Sequence, residues 1–465
     1  MLDKNLVSDV IAAALTTGGD MAELFIENCE RNTVSMVNGL VEKANWGVDY
    51  GCGIRIICGH NAIYAYTNRM DKDNLIKIAK EAAQAVAVFK KGGTPKSGGL
   101  VFNKLTYENI HPIAIMPNSI EKKAIVEHLR KASESSYAFD KLITQTSGSY
   151  ASSIQDVLIA NSNGLWAEDR RVRTRIMLGA VASAENEKQT ATRTPGALKG
   201  FELLEQYDTA KLGRDAAEAA VTMLKAGYCP GGKMPVVIEN GFGGVIFHEA
   251  CGHSLEATGV AKGASEFCGK LNQEVATPIV TAVDIGTLPN EWGSINIDDE
   301  GTPTRENVLI EKGVLKSYLV DYLNGLKMGM PSTGSARRQS YHFAPTSRMT
   351  NTYIVNGDSK TEEIIADTEY GLYAKQMGGG SVQPATGEFN FAVNEAFIIR
   401  NGKIAEPVRG ASLIGKGAEV LQMIDRVGDN LAQAQGMCGS ISGAVPTNVG
   451  QPMIRVKEMT VGGRS

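Results

Sequence analysis

The stretch Gly241-Phe242-Gly243-Gly244-Val245-Ile246-Phe247-His248-Glu249-Ala250-Cys251-Gly252-His253-Ser254-Leu255-Glu256 decides how this chain is read. Two of the six histidines lie in it, and a glutamate directly follows the first. The apolar run around them reads as a helix. His-Glu followed by a second His is the arrangement of helical zinc hydrolases. In those enzymes neutral imidazoles hold the metal, and the glutamate activates the attacking water.

The spacing departs from that pattern. In H-E-x-x-H the histidines are four residues apart, about 40° around a helix, and both reach one metal. His248 and His253 are five apart, about 140° around a straight helix, and would point to different sides. One extra residue in the turn restores a common face, so a shared metal requires a π-bulge or an early break at Gly252. In a regular helix the two histidines are unrelated, one in the core and one outside.

A metal held by two histidines needs a third protein ligand and an open position. Cys438, in Gly436-Met437-Cys438-Gly439, sits on a glycine-flanked turn that could bring a thiolate close, although alone it also reads as a small buried thiol. Cys251 lies between the histidines, where simultaneous ligation is awkward. The acidic turn Asp298-Asp299-Glu300, followed by Gly301-Thr302-Pro303, suits a hard cation such as Mg²⁺, or reads as a solvated or substrate-facing turn.

Further on, Arg337-Arg338, Tyr341-His342 and Arg348 are candidates for binding a carboxylate or stabilising an oxyanion. Ion pairs within or between subunits are the competing reading. Gly378-Gly379-Gly380 lacks the Lys-Ser/Thr of a P-loop. Three glycines beside a strand do permit close backbone approach, as when an extended peptide adds to a sheet edge.

The bulk properties set bounds. A chain of 465 residues is long enough for two or three domains. Hydrophobic content of 43% and charged content of 21% are those of a soluble globular protein. A net charge of −4 gives no global pull towards nucleic acid or an anionic membrane. No apolar run approaches the ~20 residues of a transmembrane helix. The start, Met1-Leu2-Asp3-Lys4-Asn5, shows no basic segment leading into an apolar one. Seven cysteines (Cys29, Cys52, Cys58, Cys229, Cys251, Cys268 and Cys438) follow no framework spacing. Free thiols in a reducing, cytoplasmic compartment are expected.

In chain order, residues 3–16 read as an amphipathic helix ended by Gly18-Gly19. Segments 22–27 and 33–37 alternate like strands, and 53–57 with 62–66 form a hairpin. Asp71 caps a helix running to Phe89, Gly92 to Gly99 is a loop, and Ser119 to Ser135 is a further helix. A strand-rich stretch covers 142–194, and a helix runs from Thr209 to Lys225. Cys229-Pro230-Gly231-Gly232 then marks the domain boundary. Strands are expected beyond it at 278–283, 308–310, 314–320, 391–393 and 396–403. The fold class is α+β. A mixed N-terminal region, 1–228, divisible near residue 100, precedes a β-rich layered domain, 229–465, carrying the metal-binding helix.

With these pieces placed, the chain resembles the TldD/PmbA metallopeptidase family, specifically its TldD-type subunit. The resemblance rests on His248 to Glu256, Ile297 to Pro303, Arg337 to Tyr341, Arg348 to Thr352, Gly378 to Gly380, Gly415 to Gly417, Met437 to Gly439 and the end from Gly450 to Gly463. It covers the whole chain and is strongest from about residue 228. It implies one Zn²⁺ per chain held by His248, His253 and Cys438, with Glu249 as general base, and a thiolate with two imidazoles favours zinc. It also implies cleavage of unfolded or extended peptides in an enclosed cavity, and pairing with a PmbA/TldE-type subunit or a second copy. Nucleic acid and membrane are not expected partners. A non-catalytic, peptide-binding modulator and a metal-dependent amidase are the alternatives. Glu249 argues against the first, because a scaffold has no need of a general base.

Overall fold

The computed structural model describes residues 2–464 except 87, 90–99 and 384, so the loop expected at Gly92 to Gly99 lies outside the described residues. The fold is α+β. Its first element is the helix Lys4–Ala14, capped by Asp3, whose Oδ1 accepts the N–H groups of Asn5 and Leu6 at 2.9 and 3.0 Å. The segments 22–27 and 33–37 belong to one continuous strand, Met21–Val37, and 53–57 is the end of a second, Leu40–Cys58. Their apolar alternation lapses around Glu30-Arg31-Asn32 because the strand leaves its core there, not because the chain turns.

These two strands, with Asn61–Thr67, Ile143–Asn161, Leu165–Ala184 and Glu187–Arg193, form an antiparallel sheet. Four helices cover one face. Lys4–Ala14 and Lys72–Val86 bury Val7, Val10 and Leu75 on Leu24, Ile26, Ile54 and Ile56. Lys122–Phe139 buries Ile125 and Leu129 on Tyr150, Ile176 and Leu178. Thr209–Lys225 lays Ala216, Ala217 and Ala220 on Ala180 and Ala182. The second helix stops at Val86, short of the expected Phe89.

Strand alternation sends Glu23, Glu27, Arg55, Asp169, Arg171 and Arg173 to the opposite face, where all are buried. They meet the C-terminal half, and the acidic turn is the meeting point. Asp298 accepts backbone N–H groups from Glu300, Thr302 and Ala336. Asp299 pairs with Arg171 at 2.6 Å and Glu300 with Arg55 at 2.7 Å. Glu23 bridges Arg55 and Arg338, each at 2.7 Å. The turn is neither solvated nor arranged around a cation, which corrects the expectation. Asp299 and Glu300 are satisfied by arginines distant in sequence, and Asp298 by backbone N–H groups.

The C-terminal half has two large sheets and a two-stranded one, Ala336–Arg337 with Thr346–Ser347. One large sheet runs Tyr370–Gln383, Gly232–Ile238, Ile454–Gly462, Ser412–Lys416, Glu388–Arg400, Lys403–Arg409 and Gly227–Tyr228. The other runs Val314–Leu315, Glu306–Glu311, Ala282–Ile285, Asn351–Ile354, Gly443–Gln451 and, outermost, Ala432–Ser440. The expected strands at 278–283 and 314–320 are displaced or shortened to Ala282–Ile285 and Val314–Leu315. Ile246, Phe247, Ala250 and Cys251 share one core with Ile238, Phe391 and Leu413 of the first sheet and with Leu309, Val445 and Val449 of the second. The histidine stretch is thus clamped between the sheets. No helix among the described residues is long and apolar enough to cross a membrane.

Burial raises the Glu300 carboxyl from 4.5 to about 7, against the pull of Arg55. A folded-state value above the unfolded one stabilises the fold below 4.5, and that contribution is lost as pH rises through 7. Glu300→Gln is expected to flatten the dependence of stability on pH between 4.5 and 7, measured by urea unfolding across that window.

Candidate metal centre

The stretch opens with a 3-10 turn, Gly241–Gly244, and a short α segment, Val245–Phe247. A π turn, His248–Gly252, follows, and then a 3-10 turn, His253–Leu255. The His253 N–H donates to the His248 carbonyl, five residues back, which is the π connection required by the spacing. Both rings now face the same way, with centroids 5.0 Å apart. Close backbone approaches fix this segment. A Cβ on Gly244 would lie 2.4 Å from the Gly450 carbonyl oxygen, and one on Gly417 would lie 2.3 Å from that of Ala250.

Gly450 belongs to Gly443–Gln451, which pairs with Ala432–Ser440 and so carries Cys438 to the histidines. Cys438 Sγ is 3.2 Å from His248 Nε2 and 3.1 Å from His253 Nε2. These three donor atoms lie within 4.8 Å of one another. Of the three candidate third ligands, the structure brings Cys438 to the histidines. Cys251 is buried in the core between the sheets, where burial holds its thiol well above the ordinary range. The acidic turn is occupied with arginines.

Burial works against ionisation of the Cys438 thiol, but the charge and hydrogen bonds of His248 and His253 bring it down to about 3. Burial likewise disfavours a charged His253, and is outweighed by the Glu256 carboxylate and Cys438, which raise it well above its ordinary value. A thiolate with two imidazole nitrogens, converging on one point, is a donor set that fits zinc.

Glu249, the residue after the first histidine, keeps 28% of its side chain exposed, with Oε2 3.6 Å from His253 Nε2. Two groups whose roles the sequence did not disclose hold the ligands in place. Glu256 Oε2 lies 3.2 Å from His253 Nδ1 and directs Nε2 towards Cys438. Arg348, completely buried, has its Nε 3.7 Å from Glu256 and donates to the carbonyl of Cys438. The only signal for Glu256 was its place three residues after His253, where a helical turn brings it onto the ring.

The remaining candidates separate. Arg338 pairs with Glu23, and Tyr341 donates its N–H to Glu27 and its hydroxyl to Asp49. Both are buried between the halves, as is Arg337, which donates to the carbonyl of Met349. Gly378 and Gly379 line a cavity of ≈230 Å³ with Phe242 and Gln376. Gly380 packs on Phe391.

Two imidazoles and a thiolate around one point, with a carboxylate beside them on a distorted helix, are a donor set that could hold a metal ion in a hydrolase. Comparison with known proteins agrees. The chain belongs to the PmbA/TldD metallopeptidase family: the family's sequence models, described as PmbA/TldA metallopeptidase domain 1, central domain and C-terminal domain, match residues 22–86, 116–224 and 231–463. A Haemophilus influenzae protein named Metalloprotease TldD homolog is 36% identical over 96% of this chain and 93% of its own length. A Saccharolobus solfataricus protein named Zinc metalloprotease TldD homolog is 26% identical over 97% of this chain and 99% of its own. The structure of TldE from Thermococcus kodakarensis shares the fold, with a TM-score of 0.77 at 18% identity, covering 98% of this chain and 100% of that one.

Metal content by mass spectrometry tests the centre. Protein purified without chelators is expected to carry about one zinc per chain, and Cys438→Ser is expected to lose most of it. Glu256→Gln is expected to keep the site but weaken zinc affinity roughly 10–100-fold.

Proposed function

We propose that this chain is a zinc peptidase acting on unfolded or extended peptides, with one Zn²⁺ held by His248, His253 and Cys438. The observation that carries the reading is the π turn. It brings both histidine Nε2 atoms to within 3.2 Å of Cys438 Sγ while leaving Glu249 beside them and open to solvent. Zinc, when bound, supplies Lewis acidity: it polarises a carbonyl and lowers the pKa of a coordinated water to roughly 7. Glu249 takes the proton of the attacking water and passes it to the leaving amine. A thiolate donates more charge than a third imidazole and moderates the acidity of the metal.

Two cavities beside the strand that carries Cys438 support an extended substrate. Ala432–Ser440, which carries Cys438, is the outermost strand of its sheet. Residues 432–435 line a cavity of ≈610 Å³ with Phe242 and Gln376, and those two also line the smaller cavity at Gly378 and Gly379. A peptide laid along this path adds main-chain hydrogen bonds to a free strand edge. Residues 229–465 form the catalytic domain in this reading, and 1–228 the domain that closes over it. The paired subunit is a TldE-type relative or a second copy, in the cytoplasm.

Glu249→Gln is expected to retain zinc and to lower kcat on an unstructured peptide by roughly 10²–10⁴-fold. Undiminished turnover with zinc bound would remove Glu249 as the base. Hydrolysis of simple amides but of no peptide would make the protein an amidase.

A further inference from the structure

A cavity of ≈510 Å³ lies between the charged face of the N-terminal sheet and the hairpin that carries Cys438. Six arginines line it: Arg31, Arg171, Arg173, Arg175, Arg337 and Arg338. Only two carboxylates, Asp49 and Asp299, share the lining. Three of the arginines are ion-paired: Arg171 with Asp169 and Asp299, Arg338 with Glu23, and Arg31 more loosely with Asp49 at 3.9 Å.

Arg173, Arg175 and Arg337 have no carboxylate partner among the described residues. Arg173 and Arg337 are 6% and 3% exposed, and their hydrogen bonds go to backbone carbonyls of Trp292, Ser294 and Met349. Arg175 lies over the Trp292 ring at 5.9 Å. In addition, Arg338 Nε is buried without a partner. A buried guanidinium with no counter-ion is unfavourable, and it cannot shed its charge by deprotonation near neutral pH. Burial is the main cause that pushes Arg337 down to about 10 and Arg173 well below its ordinary range; neighbouring arginines add to it, and the Asp299, Asp284 and Asp169 carboxylates offset it only in part. The surplus of positive charge is fixed in place, because strand alternation sets Arg171, Arg173 and Arg175 side by side on one face of Leu165–Ala184.

We propose that this cavity is a carboxylate-binding site that anchors a peptide through an acidic side chain or its terminal carboxylate. Planar guanidinium groups match carboxylates in two-pronged geometry. Met437 lines the cavity, and its neighbour Cys438 points from the other face of the same strand to the histidines. A peptide anchored here therefore lies against the strand that carries a metal ligand. That the ligand is a peptide rests on the peptidase reading; the surplus charge does not.

Calorimetric titration of the zinc-loaded Glu249→Gln protein, which should bind without cleaving, tests this. Three peptides share one apolar sequence: one has a glutamate and an amidated end, one a glutamine and a free terminal carboxylate, and one a glutamine and an amidated end. At least one carboxylate-bearing peptide is expected to bind about tenfold tighter than the uncharged one, and which of them does so identifies the source of the carboxylate. Adding Arg175→Gln or Arg337→Gln is expected to reduce that advantage below twofold without changing affinity for the uncharged peptide. Arg175 is only partly buried, so its variant keeps the test open if Arg337→Gln fails to fold. Equal affinity for all three peptides, no binding of either carboxylate peptide, or an advantage unchanged in Arg175→Gln overturns the proposal. Cleavage of the uncharged peptide by wild-type protein is read separately. Cleavage without any carboxylate advantage leaves the peptidase reading standing and the anion site rejected; a carboxylate advantage with no cleavage does the reverse.

Discussion

The hydrogen bond from the His253 N–H to the His248 carbonyl is the constraint on which the centre depends. In a regular helix that N–H would reach the Glu249 carbonyl, and the second histidine would face away from the first. Accepting the wider turn sacrifices helical regularity over five residues, and isolated π turns are rarely stable without support. Here the support comes from outside the segment. Ala250 and Cys251 are held in the core between two sheets, and glycine backbones press on the segment from Gly450 and Gly417. The clamp that stabilises the turn also delivers the third donor, since the strand of Gly450 is hairpin-paired with the strand of Cys438.

A second constraint acts on orientation. Three donor atoms gathered at one point do not bind a metal well if the rings swivel. Glu256 fixes the His253 ring, and Arg348 spans from Glu256 to the Cys438 carbonyl. One buried guanidinium thereby ties the histidine donors of the helix to the thiol donor of the strand, His253 and Cys438 being 185 residues apart in the chain. Of the two sequence readings of Arg348, oxyanion binder and ion-pair partner, the structure takes the second, with Nε 3.7 Å from Glu256. Arg348 sits behind the ligands and faces no open site.

What was legible followed from periodicity and stereochemistry. Five-residue spacing of two histidines on an apolar run has two structural solutions, a widened turn with a common face or a regular helix with unrelated histidines, and the structure takes the first. The amphipathic helices were readable from their periodicity, and the α+β class followed from element order. Strands with a polar middle, such as Met21–Val37, were cut in two, because alternation reports burial and not pairing. The acidic turn was misread because its partners, Arg55 and Arg171, lie in a different part of the chain. An acidic triplet with no visible counter-charge looks solvated; only the fold shows that three arginines fill its surroundings. The run Arg171-Val172-Arg173-Thr174-Arg175 did carry a signal. Alternating arginines on a strand put every charge on one face, and a face so charged requires either solvent or a partner.

The two halves of the molecule bury different things against each other. Within the C-terminal half the metal segment is held by apolar packing, which is non-directional and tolerant. Between the halves, an apolar cluster of Phe25, Val157, Ile159 and Ala167 with Ile297 and Tyr341 is joined by arginines and carboxylates whose desolvation is costly, and more apolar packing of equal shape would serve adhesion at least as well. The charges are therefore better explained by what they leave over than by what they hold together. Glu23 and Asp169, outside the cavity lining, grip Arg338 and Arg171, Asp299 grips Arg171 from within it, and backbone carbonyls grip Arg173 and Arg337. Each arginine is immobilised by one set of contacts, and the group as a whole remains short of negative charge. In this arrangement the ion pairs serve as the rigid backing of an anion site, and the incoming carboxylate supplies the counter-charge that the fold withholds.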